Sequence, residues 1–139
     1  MDRRAVLALG VASAAAAPGS TAWAGDRAPP ENAGRTAAVK LIAIYDRPDD
    51  PDAFFKHYET VHAPLVKKTP GLQSFVLNRV TEDLLGGAPP YVLIAEMTYS
   101  NRAAFDAAMK SPENQAVGQD LVSFAKGKVS VFVADCIEA

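Results

Sequence analysis

The segment from Pro51 to Pro70 reads PDAFFKHYETVHAPLVKKTP. Its apolar side chains recur at helical spacing, which predicts an amphipathic helix with a single buried stripe. The stripe consists of Phe54, Tyr58, Val61 and Leu65. Asp50 or Asp52 can cap the start of this helix, because an Asp side chain accepts hydrogen bonds from the first free backbone N–H groups.

Pro64 interrupts this helix near its middle. Proline cannot donate to the Thr60 carbonyl and its ring crowds the preceding turn, so the helix is expected to kink or restart there. His62 lies two residues before the proline, at the edge of the predicted buried face. An imidazole beside a broken helical turn is the first place at which we expect chemistry.

The rest of the chain supplies four strands and two more helices. Segments rich in β-branched and apolar residues predict strands at 39–45, 72–81, 91–99 and 128–136, and capped segments predict helices at 102–110 and 113–125. The resulting order, β-α-β-β-α-β, is that of the ferredoxin-like split βαβ arrangement. We therefore predict an α+β fold with a four-stranded antiparallel sheet.

The predicted sheet is apolar on both faces, although its helices can cover only one of them. The second apolar face is built from Ile42, Ile44, Val92 and Ile94. In so small a chain the simplest cover for that face is a second copy of the protein. The sequence therefore predicts a homodimer whose two sheets meet and enclose a cavity.

Residues 1–24 have the features of a cleavable export signal. Arg3 and Arg4 precede an apolar run, which is followed by Ala22-Trp23-Ala24, a cleavage sequence of the A-x-A type. The run is too short and too rich in alanine for a good membrane span. The paired arginines point to the twin-arginine route, but Asp2 before them departs from that pattern and leaves the Sec route open. We expect a periplasmic or secreted protein with no stable membrane anchor after cleavage.

Residues 25–37 form a polar spacer and residues 38–139 a single folded domain, because the chain of 139 residues shows no repeat or second domain. Removing the signal leaves 12 basic and 15 acidic residues, a balance that does not fit a nucleic-acid binder. Cys136 is the single cysteine, which excludes a disulfide framework. We interpret it as a small residue at the end of the last strand.

Four short motifs resemble the EthD family. They are Asp52-Ala53-Phe54-Phe55, His57-Tyr58, His62-Ala63-Pro64-Leu65 and Pro70-Gly71-Leu72. The resemblance covers about residues 38–135 and implies a dimeric α/β barrel. It also implies the chemistry of that superfamily, which includes cofactor-free monooxygenases, polyketide cyclases, lactone isomerases and haem enzymes, while EthD members are associated with ether degradation and oxidoreductase activity. The export signal departs from a typical member and argues against a cytoplasmic degradative role.

Three side chains are candidates for a catalytic site. His62 can act as a general acid or base, since imidazole titrates near neutral pH, or it can simply cap the broken helix. Tyr58 lies one turn earlier, where it either packs on the sheet or orients a ligand through its hydroxyl. Glu96 lies in mid-strand on an apolar face, so it either serves a cavity as base or ligand anchor or pairs with a cation at the dimer seam.

No metal or organic cofactor is expected. On a regular helix His57 points about 140° away from His62, so the two cannot hold one metal ion, and His57 is expected to be solvated. The sequence has no HExxH or CxxC motif, no nucleotide-binding glycine motif and no haem attachment motif. Either Asn78 or Arg79 must face the cavity, and the sequence leaves open which one does.

These observations support one main function and two alternatives. The first is an exported EthD-like dimer that binds a small, largely apolar or aromatic molecule and carries out cofactor-independent oxidation, isomerisation or cyclisation. In that function His62 is the acid or base, and Tyr58 and Glu96 orient the ligand. The alternatives are a carrier that binds a ligand without catalysis and a dimer without any ligand. The substrate cannot be read from the residues.

Overall fold

The computed structural model describes residues 37–138, so the predicted export signal and nearly all of the predicted spacer lie outside the described residues. The strands are β1 (Val39–Asp46), β2 (Leu72–Arg79), β3 (Tyr91–Tyr99) and β4 (Val129–Asp135). The helices are α1 (Pro51–His57), α2 (Ala63–Lys67), α3 (Arg102–Met109) and α4 (Pro112–Ala125), and a π-turn (Tyr58–His62) joins α1 to α2. None of the helices over residues 37–138 is long and apolar enough to span a membrane.

The four strands form one antiparallel sheet in the order β2-β3-β1-β4. The two central strands, β1 and β3, are paired around Ala43 and Ala95. This order, with the helices between β1 and β2 and between β3 and β4, confirms the predicted ferredoxin-like α+β fold.

The core lies between the helices and one face of the sheet. Alternate residues of the two central strands point into it, because successive side chains of a strand face opposite ways. The buried strand residues include Val39, Ala43, Tyr45, Leu93, Ala95, Met97 and Tyr99, and the buried helix residues that meet them include Phe54, Tyr58, Val66, Phe105 and Ala108. On the opposite face, here called the open face, lie Ile42, Ile44, Ile94 and Phe132, and no helix of residues 37–138 covers it.

Local side chains fix where the helices begin. Asp50 accepts a hydrogen bond from the Ala53 N–H at 3.1 Å, and Asn101 accepts one from the Ala104 N–H at 2.8 Å. Each bond satisfies a backbone donor that the first turn of the helix leaves free. The turn before β2 depends on Gly71, whose φ of 75° is a left-handed conformation that glycine adopts without strain.

The helix restarts at the predicted place but through a π-turn. The Ala63 N–H donates to the Tyr58 carbonyl five residues earlier, and Pro64 occupies the first turn of α2. A π-turn contains more residues than an α-helical turn, so it changes which side chains point inward. The prediction that Val61 lies on the buried stripe is wrong, because Val61 is 40% exposed and His62, only 3% exposed, points into the core in its place.

Candidate functional site

The centre of the candidate site is a buried pair of side chains, His62 and Asp120. The imidazole Nδ1 lies 2.8 Å from Oδ2 of Asp120, which is carried by α4. A carboxylate can only accept a hydrogen bond, so Nδ1 bears the proton and Nε2 keeps its lone pair. Among residues 37–138, no side chain forms a hydrogen bond with Nε2.

His57 contacts the same carboxylate. Its Nε2 lies 2.9 Å and 3.1 Å from the two oxygens of Asp120, so the prediction that His57 is solvated is wrong. The prediction assumed a regular α-helix, on which residues five apart diverge by about 140°. The π-turn contains an extra residue and brings His57 and His62 onto the same side. One carboxylate therefore holds two imidazoles.

Aromatic rings enclose this cluster. The ring of Phe124 lies 4.6 Å from the His57 ring and 4.9 Å from the His62 ring, measured between centroids. The Tyr58 ring lies 5.1 Å from that of His62 and 5.4 Å from that of Tyr45. These rings exclude water, and electrostatic interactions are stronger in the resulting low-dielectric surroundings.

Burial also sets the protonation states. It lowers the pKa of His62 below its ordinary value, while the hydrogen bond to Asp120 opposes part of that shift. Burial raises the pKa of Tyr58 to about 12 and raises the pKa of Tyr45 as well. At neutral pH the His62 imidazole is therefore neutral and both hydroxyls are protonated. The arrangement can accept a proton at Nε2 of His62.

Asp120 is the site residue that sequence reasoning missed. It lies on the same face of α4 as Val117, Leu121 and Phe124, which pack against the core. An acidic residue on the apolar stripe of an amphipathic helix needs a partner. The position of Asp120 on this stripe is therefore the feature of the sequence that could have identified it as a site residue.

Tyr58 also lines a surface cleft of about 140 Å³ between the α1 region and the edge strand β2. The other lining residues are Phe55, Glu59, Leu77, Arg79 and Leu93.

The strand register shows to which side of the sheet Asn78 and Arg79 each point. Arg79 is paired with Leu93 and points to the helix side, whereas Asn78 is paired with Ile94 and points to the open face. A second hollow of about 290 Å³ lies beside His57.

Glu96 lies on the other side of the sheet. It is 3.1 Å from the Lys40 ammonium and accepts a hydrogen bond from Asn78 at 2.9 Å. The Lys40 bond, together with the Asn78 bond, holds the pKa of Glu96 below its ordinary value. Of the three predicted site residues, the structure brings His62 and Tyr58 together and separates Glu96 from them by the sheet.

Residues 37–138 contain no group of three or more His, Cys, Asp or Glu side chains placed to hold a metal ion. The cluster of His57, His62 and Asp120 is held together by its own hydrogen bonds.

Comparisons with known proteins identify the family of the chain. A curated protein of Rhodococcus erythropolis, described as an uncharacterized 11.0 kDa protein in the thcB-thcC intergenic region, is 33% identical over 97 residues. That alignment covers 69% of this chain and 92% of the relative. A crystal structure of an EthD family protein from Bacillus halodurans is 34% identical, with a TM-score of 0.69, and the alignment covers 72% of this chain and 99% of the other.

More distant structures share the fold alone. One is SnoaB, a cofactor-independent oxygenase from Streptomyces nogalater, at 13% identity and a TM-score of 0.56, covering 75% of this chain and 97% of the other. Another is a dimeric ferredoxin-like protein from Thermobifida fusca, at 16% identity and a TM-score of 0.55, covering 73% of this chain and 92% of the other. The EthD domain family itself matches residues 47–128. With that match and the Rhodococcus relative, the chain belongs to the EthD domain family.

Proposed function

We propose that the protein is an enzyme that moves a proton on a small, largely apolar molecule without a cofactor, with His62 as the acid–base group. The observation that carries this proposal is the 2.8 Å contact between Nδ1 of His62 and Asp120 inside a buried aromatic cluster. The carboxylate fixes the tautomer that leaves Nε2 free, and it stabilises the imidazolium that forms when Nε2 accepts a proton.

The first step is proton abstraction by Nε2. A C–H or O–H bond of the ligand breaks, an N–H bond forms on Nε2, and the electron pair stays on the ligand as an enolate or phenolate. Returning the proton to a different atom completes an isomerisation. In a cyclisation, the enolate carbon attacks a carbonyl group in the same molecule, the C=O π bond breaks, and the proton on Nε2 passes to the new alkoxide. In a cofactor-independent oxygenation, the carbon of the same anion forms a C–O bond with O₂, the proton on Nε2 passes to the resulting peroxide, and loss of water leaves a ketone, with O₂ as the oxidant.

Other parts of the molecule have supporting roles in this proposal. The Tyr58 ring, 5.1 Å from the His62 ring, orients the ligand. Glu96 belongs with Lys40 to the open face, which forms the seam of a homodimer. The export of the mature chain to the periplasm or the medium, by the twin-arginine or the Sec route, stays part of the proposal on the strength of residues 1–24.

Hydrogen exchange in D₂O tests the proposal without knowledge of the natural substrate. A panel of small aromatic ketones and phenols is incubated with the full chain in D₂O, and deuterium uptake at carbon is followed by mass spectrometry. We expect catalysed uptake in at least one compound, reduced about 10²- to 10⁴-fold by His62→Gln, as removal of a general base requires. The matched control is Asp106→Asn, which changes an exposed carboxylate on α3 and should leave uptake unchanged.

Two results would contradict the proposal. Uptake that His62→Gln leaves intact would remove His62 as the base. Binding of panel members with no uptake in any of them would instead favour the carrier, in which His62 only stabilises the helix around Pro64.

A further inference from the structure

We infer that the cleft beside Tyr58 is an anchoring subsite for an aromatic ring that carries an anionic group, with Arg79 as the partner of the anion. This inference rests on the proposed function only in taking the anchored molecule to be the substrate. It names the chemical class of that substrate, an aromatic acid, which neither the family nor its relatives specify.

The size of the cleft fits one ring. Its volume is about 140 Å³, close to that of an engineered apolar cavity of about 150 Å³ that binds benzene. Its walls are apolar and aromatic, with Phe55 and Tyr58 from the α1 side and Leu77 and Leu93 from the sheet. Leu77 remains 41% exposed in the structure. A planar ring would cover that apolar surface, which favours binding.

Arg79 gives the cleft its charge preference. Its guanidinium lies 4.1 Å from the centroid of the Phe55 ring, so the ring supports the cation at the rim. Glu59 approaches it at 3.9 Å, but both side chains are more than half exposed, and such a pair is weak. The guanidinium therefore keeps N–H donors for a ligand carboxylate, which its planar fork can bind through two parallel hydrogen bonds.

Tyr58 connects the cleft with the acid–base pair. Its ring lines the cleft and lies 5.1 Å from the His62 ring. An aromatic acid held by Arg79 therefore lies within one side chain, that of Tyr58, of the acid–base pair. The anchored end thus supplies binding and orientation, and the reaction takes place on another part of the same molecule.

The test compares benzoate with benzamide, which has the same ring but no charge. Each is titrated into the isotope-labelled full chain, and NMR shifts of the cleft residues report binding. We expect benzoate to bind at least about tenfold more tightly than benzamide, the difference that a charge-assisted hydrogen bond supplies. Arg79→Gln should remove that difference, and Leu77→Trp, which fills the cleft, should abolish binding of both probes.

Arg102→Gln is the matched control. Arg102 also lies over an aromatic ring, that of Phe105, and pairs with Asp106, but it lines no part of the cleft. It should leave the benzoate preference intact. Glu59→Gln should strengthen benzoate binding several-fold, because it removes the carboxylate that competes for Arg79. Equal affinities for the two probes in the unaltered protein, or equal losses in Arg79→Gln and Arg102→Gln, would overturn the inference.

Failure here is distinguishable from failure of the proposed function. His62→Gln should bind benzoate as the unaltered protein does, because His62 does not line the cleft. Charge-selective binding without catalysed deuterium uptake would keep the subsite and reject the acid–base role. In the opposite case, Arg79→Gln would leave catalysed deuterium uptake unchanged and the protein would bind benzoate no more tightly than benzamide. That result would keep the acid–base role and reject the subsite.

Discussion

Asp120 is the residue on which the acid–base cluster depends, because it contacts both imidazoles. Protonating both rings would place two positive charges beside one carboxylate inside an aromatic enclosure, which is unfavourable at low dielectric. The charge interaction with His57 therefore opposes protonation of His62 and contributes to lowering the pKa of His62. Removing the carboxylate should affect both rings at once.

The first prediction concerns the tautomer of His62. In the unaltered protein, nitrogen NMR of the histidine side chains should show the proton on Nδ1, where Asp120 accepts it. Asp120→Asn should give a mixture of tautomers, since an amide can either donate or accept, and should reduce catalysed deuterium uptake about 10²-fold or more. Asp106→Asn should change neither observable. An unaltered tautomer in Asp120→Asn would show that other groups orient the ring.

The second prediction is a pH dependence of stability. Burial lowers the pKa of His62 below 6.5, so in acid the unfolded chain takes up a proton at this residue before the folded protein does. Above pH 6.5 the ring is neutral in both states, so it takes nothing from the free energy of unfolding. As the pH falls below 6.5, the unfolded chain binds a proton that the folded protein does not, and the free energy of unfolding decreases. Urea midpoints measured from about pH 7.5 to about pH 5 should fall more steeply for the unaltered protein than for His62→Gln. Parallel slopes would contradict the assignment.

At the scale of the element, the π-turn decides which residues the helix presents to the core. With an α-helical period Val61 would lie inward, and with the extra residue His62 does. Pro64 explains why the irregularity lies here, because it cannot complete the hydrogen bond that a continuous α-helix needs. The same extra residue brings His57 and His62, five positions apart, to one carboxylate.

The third prediction tests that register. Val61→Glu should change the free energy of unfolding by less than about 0.5 kcal/mol, because the side chain points to solvent. Val66→Glu, a matched change five residues later at a position that is almost fully buried, should cost about 3 kcal/mol or more, since it buries an unpaired charge. Urea unfolding of both variants measures the contrast. A large loss in Val61→Glu would mean that the helix is regular and Val61 faces inward.

The elements themselves could be predicted from the sequence, because hydrophobic period and capping residues are local signals. β3 occupies the predicted Tyr91–Tyr99, and α4 begins within one residue of its predicted start. The cluster could not be predicted in this way, since Asp120 lies 58 positions from His62 and only the packing of α4 brings them together. The side to which Arg79 points also depends on pairing, because β2 contains a bulge near Ser74 that shifts its register.

At the scale of the whole molecule, the open face of the sheet is the feature that the helices of residues 37–138 leave uncovered. Ile42, Ile44 and Ile94 lie on it, and Phe132 on the edge strand β4 is 55% exposed. The ion pair of Lys40 and Glu96 lies among them with Asn78. An apolar surface around a satisfied polar pair resembles the centre of a subunit interface, where charged groups persist only when they are paired.

The fourth prediction is that Phe132→Glu converts a dimer into a monomer. A two-fold interface would bury two new carboxylates, each without a partner, and this penalty opposes association. Sedimentation velocity at micromolar concentration should show a dimer for the unaltered protein and a monomer for the variant, with the far-ultraviolet spectrum unchanged. Val122→Glu is the matched control, since Val122 is equally apolar and exposed but lies on the outer surface of α4. A monomeric unaltered protein, or dimers in both variants, would mean that the open face is not a dimer interface.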